Sequence, residues 1–351
     1  MVPALAVAEA LRAEGAEVSF IGGERAEAEL VPAAGFELEE LTVRGLSRTN
    51  PLLALRAVAL AGAAVLRARR LLRRIGPDAV MGGGGYVAGP VGLAALTLRV
   101  PLVLSEADSH LGLTNRMLAR FARRVCLAFP IAGREGPRYR LTGRPIPPPV
   151  RDRAGAREHF GIPPGLSCVL VFGGSLGARS VNEAAVAAFA GAPFRVLHIC
   201  GRRDYGLLAA AAPAAEPGRD GRFDGRPGGY DLRPYLELGE FAEALAAADL
   251  VVARAGGSVF ELAANGLPAI LIPYPQAAGN HQRSNAAWMA DAGAAVVIAD
   301  RELTGARLGG EVAALLADPR RLASMSAAAR RLARPDAARD IAAEVLQAAR
   351  A

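Results

Sequence analysis

The sequence contains no lysine; all 41 of its basic residues are arginine. Without a lysine amine there is no Schiff base, no pyridoxal attachment and no P-loop lysine beneath a nucleotide phosphate. Aromatic residues are scarce, at 5%. No basic tract is interleaved with base-stacking aromatics, so the net charge of +7 does not read as a nucleic-acid surface. Cysteine is limited to Cys126, Cys168 and Cys200, with no CxxC pair. That spacing fits neither a zinc site nor a disulfide framework; it predicts buried free thiols and no bound metal. Long apolar runs are missing too. The longest in the first half, Ala57 to Leu66, lies between Arg56 and Arg67 and is too short to span a bilayer. No segment reads as a signal peptide.

What is present is a globular α/β pattern. The 351 residues suit two domains, and 52% hydrophobic against 21% charged residues supplies a core. Pro3 to Glu14 reads as a helix with proline in its first turn, and Glu17 to Ile21 as a strand. A doubly wound sheet normally places a strand before such a helix. None is read here, so Leu5, Val7, Ala8 and Leu11 are expected to face a gap. Further strands are predicted over Ala79 to Met81, Val100 to Leu104, Val125 to Ala128 and Tyr139 to Thr142. Pro145 and Pro147 to Pro149 form a stiff linker.

A second α/β unit begins after Arg151. Cys168 to Phe172 reads as a buried parallel strand, followed by strands at Val196 to Cys200, Leu250 to Ala253 and Ala269 to Ile272. Residues 204–230 read as a loose surface insert and Pro335 to Ala351 as a helix. The expected organisation is an N-terminal domain over 1–149, a C-terminal domain over 150–334 and a terminal helix over 335–351. Two Rossmann-like halves imply a cleft, with ligand at the strand carboxyl ends that face it.

Three segments carry chemistry. Gly173 to Arg179 lies between a strand and a helix, where small residues let backbone N–H groups approach an anion and Ser175 can donate a hydroxyl hydrogen bond. It fits neither the dinucleotide fingerprint nor a Walker loop, and a plain tight βα turn accounts for it equally. In Arg254 to Glu261, a glycine-serine loop follows a strand and Glu261 falls in a helical first turn. That carboxylate either accepts hydrogen bonds from ribose hydroxyls or compensates the helix dipole. Asn280, His281, Gln282 and Asn285 follow a strand end, and amides supply the donors and acceptors that sugar hydroxyls need.

Taken together, Gly83 to Pro90, Glu106 with Gly112 to Asn115, Gly173-Gly-Ser175, Arg254-Ala-Gly256, Glu261 and His281-Gln282-x-x-Asn285 resemble the MurG family in order along nearly the whole chain. The resemblance implies a two-domain GT-B fold, in which the C-terminal helix crosses back to the N-terminal domain, and inverting transfer of GlcNAc from UDP-GlcNAc to an undecaprenyl-pyrophosphoryl acceptor in peptidoglycan synthesis, with no cofactor and no obligatory metal. It implies that Ser175, Gly256, Gly257 and Ser258 hold the diphosphate, Glu261 the ribose, and Phe241 and Ala242 the uracil. His281, Gln282 and Asn285 would contact GlcNAc, with Asp108 near the sugar. Gly83, Gly84, Gly85, Tyr86 and Asn115 would receive the acceptor.

The family's initial strand and G-G-T-G-G-H loop would precede Pro3, and Met1 stands after that point. Gly143-Arg144-Pro145 replaces a Gly-Asn-Pro-Val-Arg pattern, which leaves Arg144 as the substitute phosphate contact. Glu106 and Asp108 are the carboxylates near the acceptor loops, and either one serves as base or, for Glu106, as a structural acid. Leu52 to Ile75, with Arg67, Arg69, Arg70, Arg73 and Arg74 at its end, reads as a helix that lies on an anionic leaflet or packs in the core. The resemblance places the chain at the cytoplasmic face of the membrane, among cell-wall synthesis or division proteins. A related transferase acting on another lipid acceptor, and a non-catalytic sugar-nucleotide binder, are the alternatives.

Overall fold

In the computed structural model, residues 1–23, 26–41, 51–174, 177–211 and 229–350 are described, with side chains for all but 26, 51–61, 211 and 278. The chain divides into two compact units. Unit 1 comprises Met1–Ile146 with Arg334–Ala351, and unit 2 comprises Pro147–Ala333.

Unit 1 runs α1 (Val2–Ala13), β1 (Ser19–Gly22), α2 (Ala26–Ala33), β2 (Glu37–Glu40), α3 (Pro51–Ile75), β3 (Val80–Gly82), α4 (Gly85–Leu98), β4 (Leu102–Glu106), α5 (Leu113–Leu118), β5 (Arg124–Leu127) and β6 (Tyr139–Leu141). Pro3 in the first turn of α1 has its φ preset for helix and removes only an N–H that would lack an intrahelical acceptor. The strands form two parallel sheets, β1-β2 and β3-β4-β5-β6.

The gap expected beside α1 is corrected by the packing. Val7 and Leu11 lie in one cluster with Val103 and Cys126 of the sheet, and with residues that return from the end of the chain, Ile341, Ala342 and Val345. Ala8 faces Val31 and Phe36 on the β1-β2 side. One amphipathic helix thus covers parts of both sheets, because its apolar residues recur at three- and four-residue spacing.

Unit 2 runs α6 (Arg153–His159), β7 (Cys168–Phe172), α7 (Arg179–Phe189), β8 (Arg195–Ile199), α8 (Tyr205–Ala211), β9 (Tyr230–Arg233), α9 (Leu238–Ala247), β10 (Leu250–Ala253), α10 (Val259–Asn265), β11 (Ala269–Leu271), α11 (His281–Asp291), β12 (Ala295–Val297), α12 (Gly305–Leu316) and α13 (Pro319–Leu332). Its six parallel strands lie in the order β12-β11-β10-β7-β8-β9. β7 and β10 are buried at every position, which is why they read as unbroken apolar runs. The chain then re-enters unit 1 as α14 (Ala337–Ala349), whose Glu344 pairs with Arg124 at 2.8 Å and Arg140 at 3.2 Å.

The surface insert predicted over 204–230 is corrected at both ends. Tyr205–Ala211 is helical, and Asp204 and Tyr230 are buried; 212–228 lie outside the described residues. Asn182 Nδ2 donates to Cys200 O at 2.9 Å and to Asp204 Oδ2 at 3.2 Å. That fixes the amide, so its Oδ1 accepts from His198 Nε2–H at 3.0 Å. His198 Nδ1 then accepts from the Tyr230 hydroxyl at 2.7 Å. The ring is neutral, and burial pushes its pKa down to about 3. The three cysteines are free and buried.

Candidate active site

In unit 2 the site residues collect at the carboxyl ends of the parallel strands, where a doubly wound sheet leaves loops for ligand. The loop after β7 is shaped by its glycines. Gly177 has φ +75°, and a Cβ there would stand 2.2 Å from Cys200 O; one on Gly173 would stand 2.4 Å from Ala178 N. The Gly177 N–H donates to Gly174 O at 2.9 Å, which closes the turn. α7 then starts at Arg179, and its first-turn N–H groups lack intrahelical acceptors, which favours an anion. Ser175 lies outside the described residues. The Phe241 ring meets the Phe172 ring edge-on at 5.2 Å, so α9, which also carries Ala242, is anchored beside this loop.

The loop after β10 carries Gly256, Gly257 and Ser258 and leads directly into α10, with Glu261 in its first turn. Open space surrounds the position a Gly256 Cβ would take, so the backbone there is approachable. Asn285 on α11 is buried, and its Nδ2 donates to Ala255 O at 3.0 Å and Gly256 O at 3.4 Å. Its amide therefore holds the loop from behind. Gln282 Oε1 accepts from the Tyr274 N–H at 2.9 Å, which turns its NH₂ outward as a donor. His281 opens α11, next to Asn280 in left-handed conformation at φ +56°.

In unit 1 the loop after β3 and the loop after β4 meet. Gly84 and Gly85 both have φ +82°, which favours glycine, and Gly84 caps α4. Thr114 Oγ1 donates to Gly85 O at 3.0 Å. Asn115 is buried, and its Nδ2 donates to Ser105 O at 3.1 Å and Glu106 Oε2 at 3.0 Å. Glu106 also accepts from the Gly112 N–H at 2.8 Å and the Asp108 N–H at 3.1 Å. Both carboxylate oxygens are thereby engaged in shaping the loop. Asp108 receives no hydrogen bond on its carboxylate among the described residues and is only half-buried. Tyr86 is exposed, Gly83 is open, and Arg144 is half-buried after Gly143. No group of three His, Cys, Asp or Glu side chains among the described residues is placed to hold a metal ion.

Two features escaped the sequence reading. Thr114 pins Gly85 in the loop after β3, and Asp300 and Ser180 meet at Arg254. Neither has a local signature, since each joins residues far apart in the chain.

The profile of the glycosyltransferase family 28 N-terminal domain matches residues 1–127, and that of its C-terminal domain matches 168–341. A Moorella thermoacetica UDP-N-acetylglucosamine–N-acetylmuramyl-(pentapeptide) pyrophosphoryl-undecaprenol N-acetylglucosamine transferase is 42% identical over 95% of this chain and 92% of its own length. The chain belongs to this transferase family. A Methylococcus capsulatus protein of the same name is 41% identical over 99% of the chain and 95% of its own length. The crystal structure of Acinetobacter baumannii MurG matches with a TM-score of 0.79 at 30% identity, covering 98% of this chain and 95% of that one. CalG4, the calicheamicin glycosyltransferase, matches at 18% identity with a TM-score of 0.69, which speaks to the GT-B fold alone.

Proposed function

We propose that the chain transfers GlcNAc from UDP-GlcNAc to N-acetylmuramyl-(pentapeptide) pyrophosphoryl-undecaprenol, inverting the anomeric centre. The observation that carries this reading is the end-to-end similarity to transferases of that name, at 42% identity over 95% of the chain. The glycine loops after β7 and β10 support it. Ser175, the first turn of α7 and the backbone of Gly256 to Ser258 hold the diphosphate. Charge grows on the leaving UDP as the bond to C1 breaks, and N–H groups fixed in advance stabilise it without reorganising. Glu261 takes the ribose hydroxyls, the backbone of Ala242 beside Phe241 takes the uracil, and the Gln282 NH₂ with His281 takes GlcNAc hydroxyls. Asn285 acts on the loop rather than the sugar. No metal or cofactor enters the reaction.

Gly83 to Gly85 and Tyr86 receive the acceptor, with Asn115 bracing the loop. The acceptor hydroxyl needs a base. Asp108 is the carboxylate with lone pairs to spare, so it takes the proton; Glu106 organises the loop that presents it. The test is transfer of labelled GlcNAc to the lipid-linked acceptor by Asp108→Asn. A rate within twofold of wild type would remove Asp108 from that role.

The acceptor's lipid places the enzyme at a membrane surface, and no helix among the described residues is long and apolar enough to cross one. α3 ends in exposed arginines, and Leu66 stands exposed beside Arg67 while Ala64, Ala68 and Leu72 face the core. Exposed Met117 and Phe121 alternate with Arg116 and Arg120 nearby in the chain. Such apolar groups set among arginines suit the cytoplasmic leaflet with its anionic lipids. Flotation with vesicles containing phosphatidylglycerol tests it. Replacing Arg67, Arg69, Arg70, Arg73 and Arg74 by glutamine should abolish binding, and unchanged flotation would reject the surface.

A further inference from the structure

We propose that Arg254 is a positioning residue that sets the two glycine loops of unit 2 against each other, so that their N–H groups act as one diphosphate site. The proposal rests on the transferase reading above and goes beyond it in assigning work to a side chain that touches no substrate.

Arg254 is the first residue past β10, and only 8% of it is exposed. Its Nη1 donates to Ile272 O at 3.2 Å and Pro273 O at 3.4 Å, just past β11, and to Asp300 Oδ1 at 2.6 Å, beyond β12. Its Nη2 donates to Ser180 Oγ at 2.8 Å, in the first turn of α7. Ser180 in turn donates to Asp300 Oδ1 at 2.8 Å. The Tyr274 ring lies 5.4 Å from the guanidinium carbon.

These partners follow the adjacent strands β12, β11, β10 and β7 in sheet order. One planar fork therefore fastens the carboxyl edge across four strands. It stands at the root of the Ala255–Ser258 loop and grips the helix that completes the Gly173–Ala178 loop. Its terminal nitrogens are spent on four protein oxygens, so it works through the loops and not on a phosphate. A lysine ammonium is a single point and does not span Ser180, Asp300 and two carbonyls in one plane. A plain buried ion pair with Asp300 would need only charge; the Ser180 link is what a loop-setting role adds.

Four variants test this in the full-length protein: Arg254→Lys, which keeps the charge; Ser180→Ala, which cuts only the tie to α7; Ser180→Thr, which restores the hydroxyl; and Asp300→Asn. UDP affinity is read by calorimetry, donor and acceptor KM by transfer assay, and the urea midpoint by fluorescence. In Arg254→Lys, UDP Kd and donor KM should rise together by about tenfold, the weight of one charge-assisted hydrogen bond, with acceptor KM unmoved. Ser180→Ala should show roughly a threefold rise of the same pattern at an unchanged urea midpoint, as for one neutral hydrogen bond, and Ser180→Thr should return it to wild type. Asp300→Asn should weaken UDP binding in the same sense, because Arg254 and Ser180 both lean on that carboxylate.

Wild-type UDP affinity in both Ser180→Ala and Arg254→Lys would overturn the proposal, as would donor and acceptor KM rising in step with a falling urea midpoint. If Arg254→Lys fails to fold, the two Ser180 variants decide by themselves. A wild-type protein that neither binds UDP nor transfers GlcNAc would instead overturn the transferase reading.

Discussion

Asn115 Nδ2 and Glu106 Oε2 lie 3.0 Å apart, and both residues are buried. Nδ2 faces two acceptors, so the amide cannot be turned around, and Oδ1 has no partner among the described residues. The pair is thus a fixed brace between the end of β4 and α5, and a Cβ added at Gly84 would stand 3.6 Å from the same Nδ2. Glu106→Gln replaces an oxygen that accepts from N–H with an NH₂ that confronts one. We expect a stability loss of about 1–3 kcal/mol in urea unfolding together with a fall in kcat. Asp108→Asn should lower kcat and leave the urea midpoint in place, which separates the two carboxylates.

Gly177 tests the loop after β7. With φ +75° and Cys200 O only 2.2 Å from where a Cβ would stand, Gly177→Ala has no room. The loop must shift, and UDP affinity measured by calorimetry should drop by at least tenfold, because N–H groups displaced by a fraction of an ångström no longer converge. Gly256→Ala, with open space around it, should preserve the fold and lose affinity only through direct obstruction of the ligand.

Gly143 tests the place where the chain returns to unit 1. At φ +85° a Cβ would lie 2.4 Å from Arg334 Cβ. Gly143→Ala should cost about 1–2 kcal/mol from the left-handed backbone alone, plus the clash, seen as a lower urea midpoint.

His198 makes stability depend on pH. Its folded pKa, near 3, lies below the unfolded value of about 6.5, so the unfolded chain binds the extra proton between those values. Its contribution is fully present above about pH 6.5 and is lost as pH falls towards 3, at up to ~1.4 kcal/mol per pH unit. Urea midpoints at pH 7.5, 6.0 and 5.0 should fall in wild type, with a shallower slope in His198→Gln.

The thiols should be silent in the native state. Burial pushes Cys126 and Cys168 up to about 12 and Cys200 up to about 11. A thiolate-specific reagent at pH 8 should label none in the folded protein and all three in guanidinium.

The buried strands of unit 2 were legible because an unbroken apolar run such as Cys168–Phe172 admits few other readings. Glycine loops at their ends were legible for the same reason, as each interrupts such a run. Other parts were hidden. Asn285 and Asn115 stood out as amides near a site, yet an amide reads identically whether it meets a sugar or a backbone carbonyl. The link from Arg254 to Asp300 spans 46 positions and leaves no local pattern. The helix at Tyr205–Ala211 was masked by composition, and only tertiary contacts reveal that Asp204 is anchored by Asn182 and Arg203. The family resemblance implied that the C-terminal helix returns to the N-terminal domain, but its seat against Val7 and Leu11 of α1 leaves no local pattern in either segment.

That last contact sets the order in which the protein can be finished. Unit 2 has all its residues once Ala333 is made, while unit 1 at that point still lacks α14 against Val7 and Leu11. Unit 1 is closed by residues that lie beyond unit 2 in the chain. Truncation before Ala337 would therefore injure unit 1, most of which precedes unit 2 in the chain, and spare unit 2.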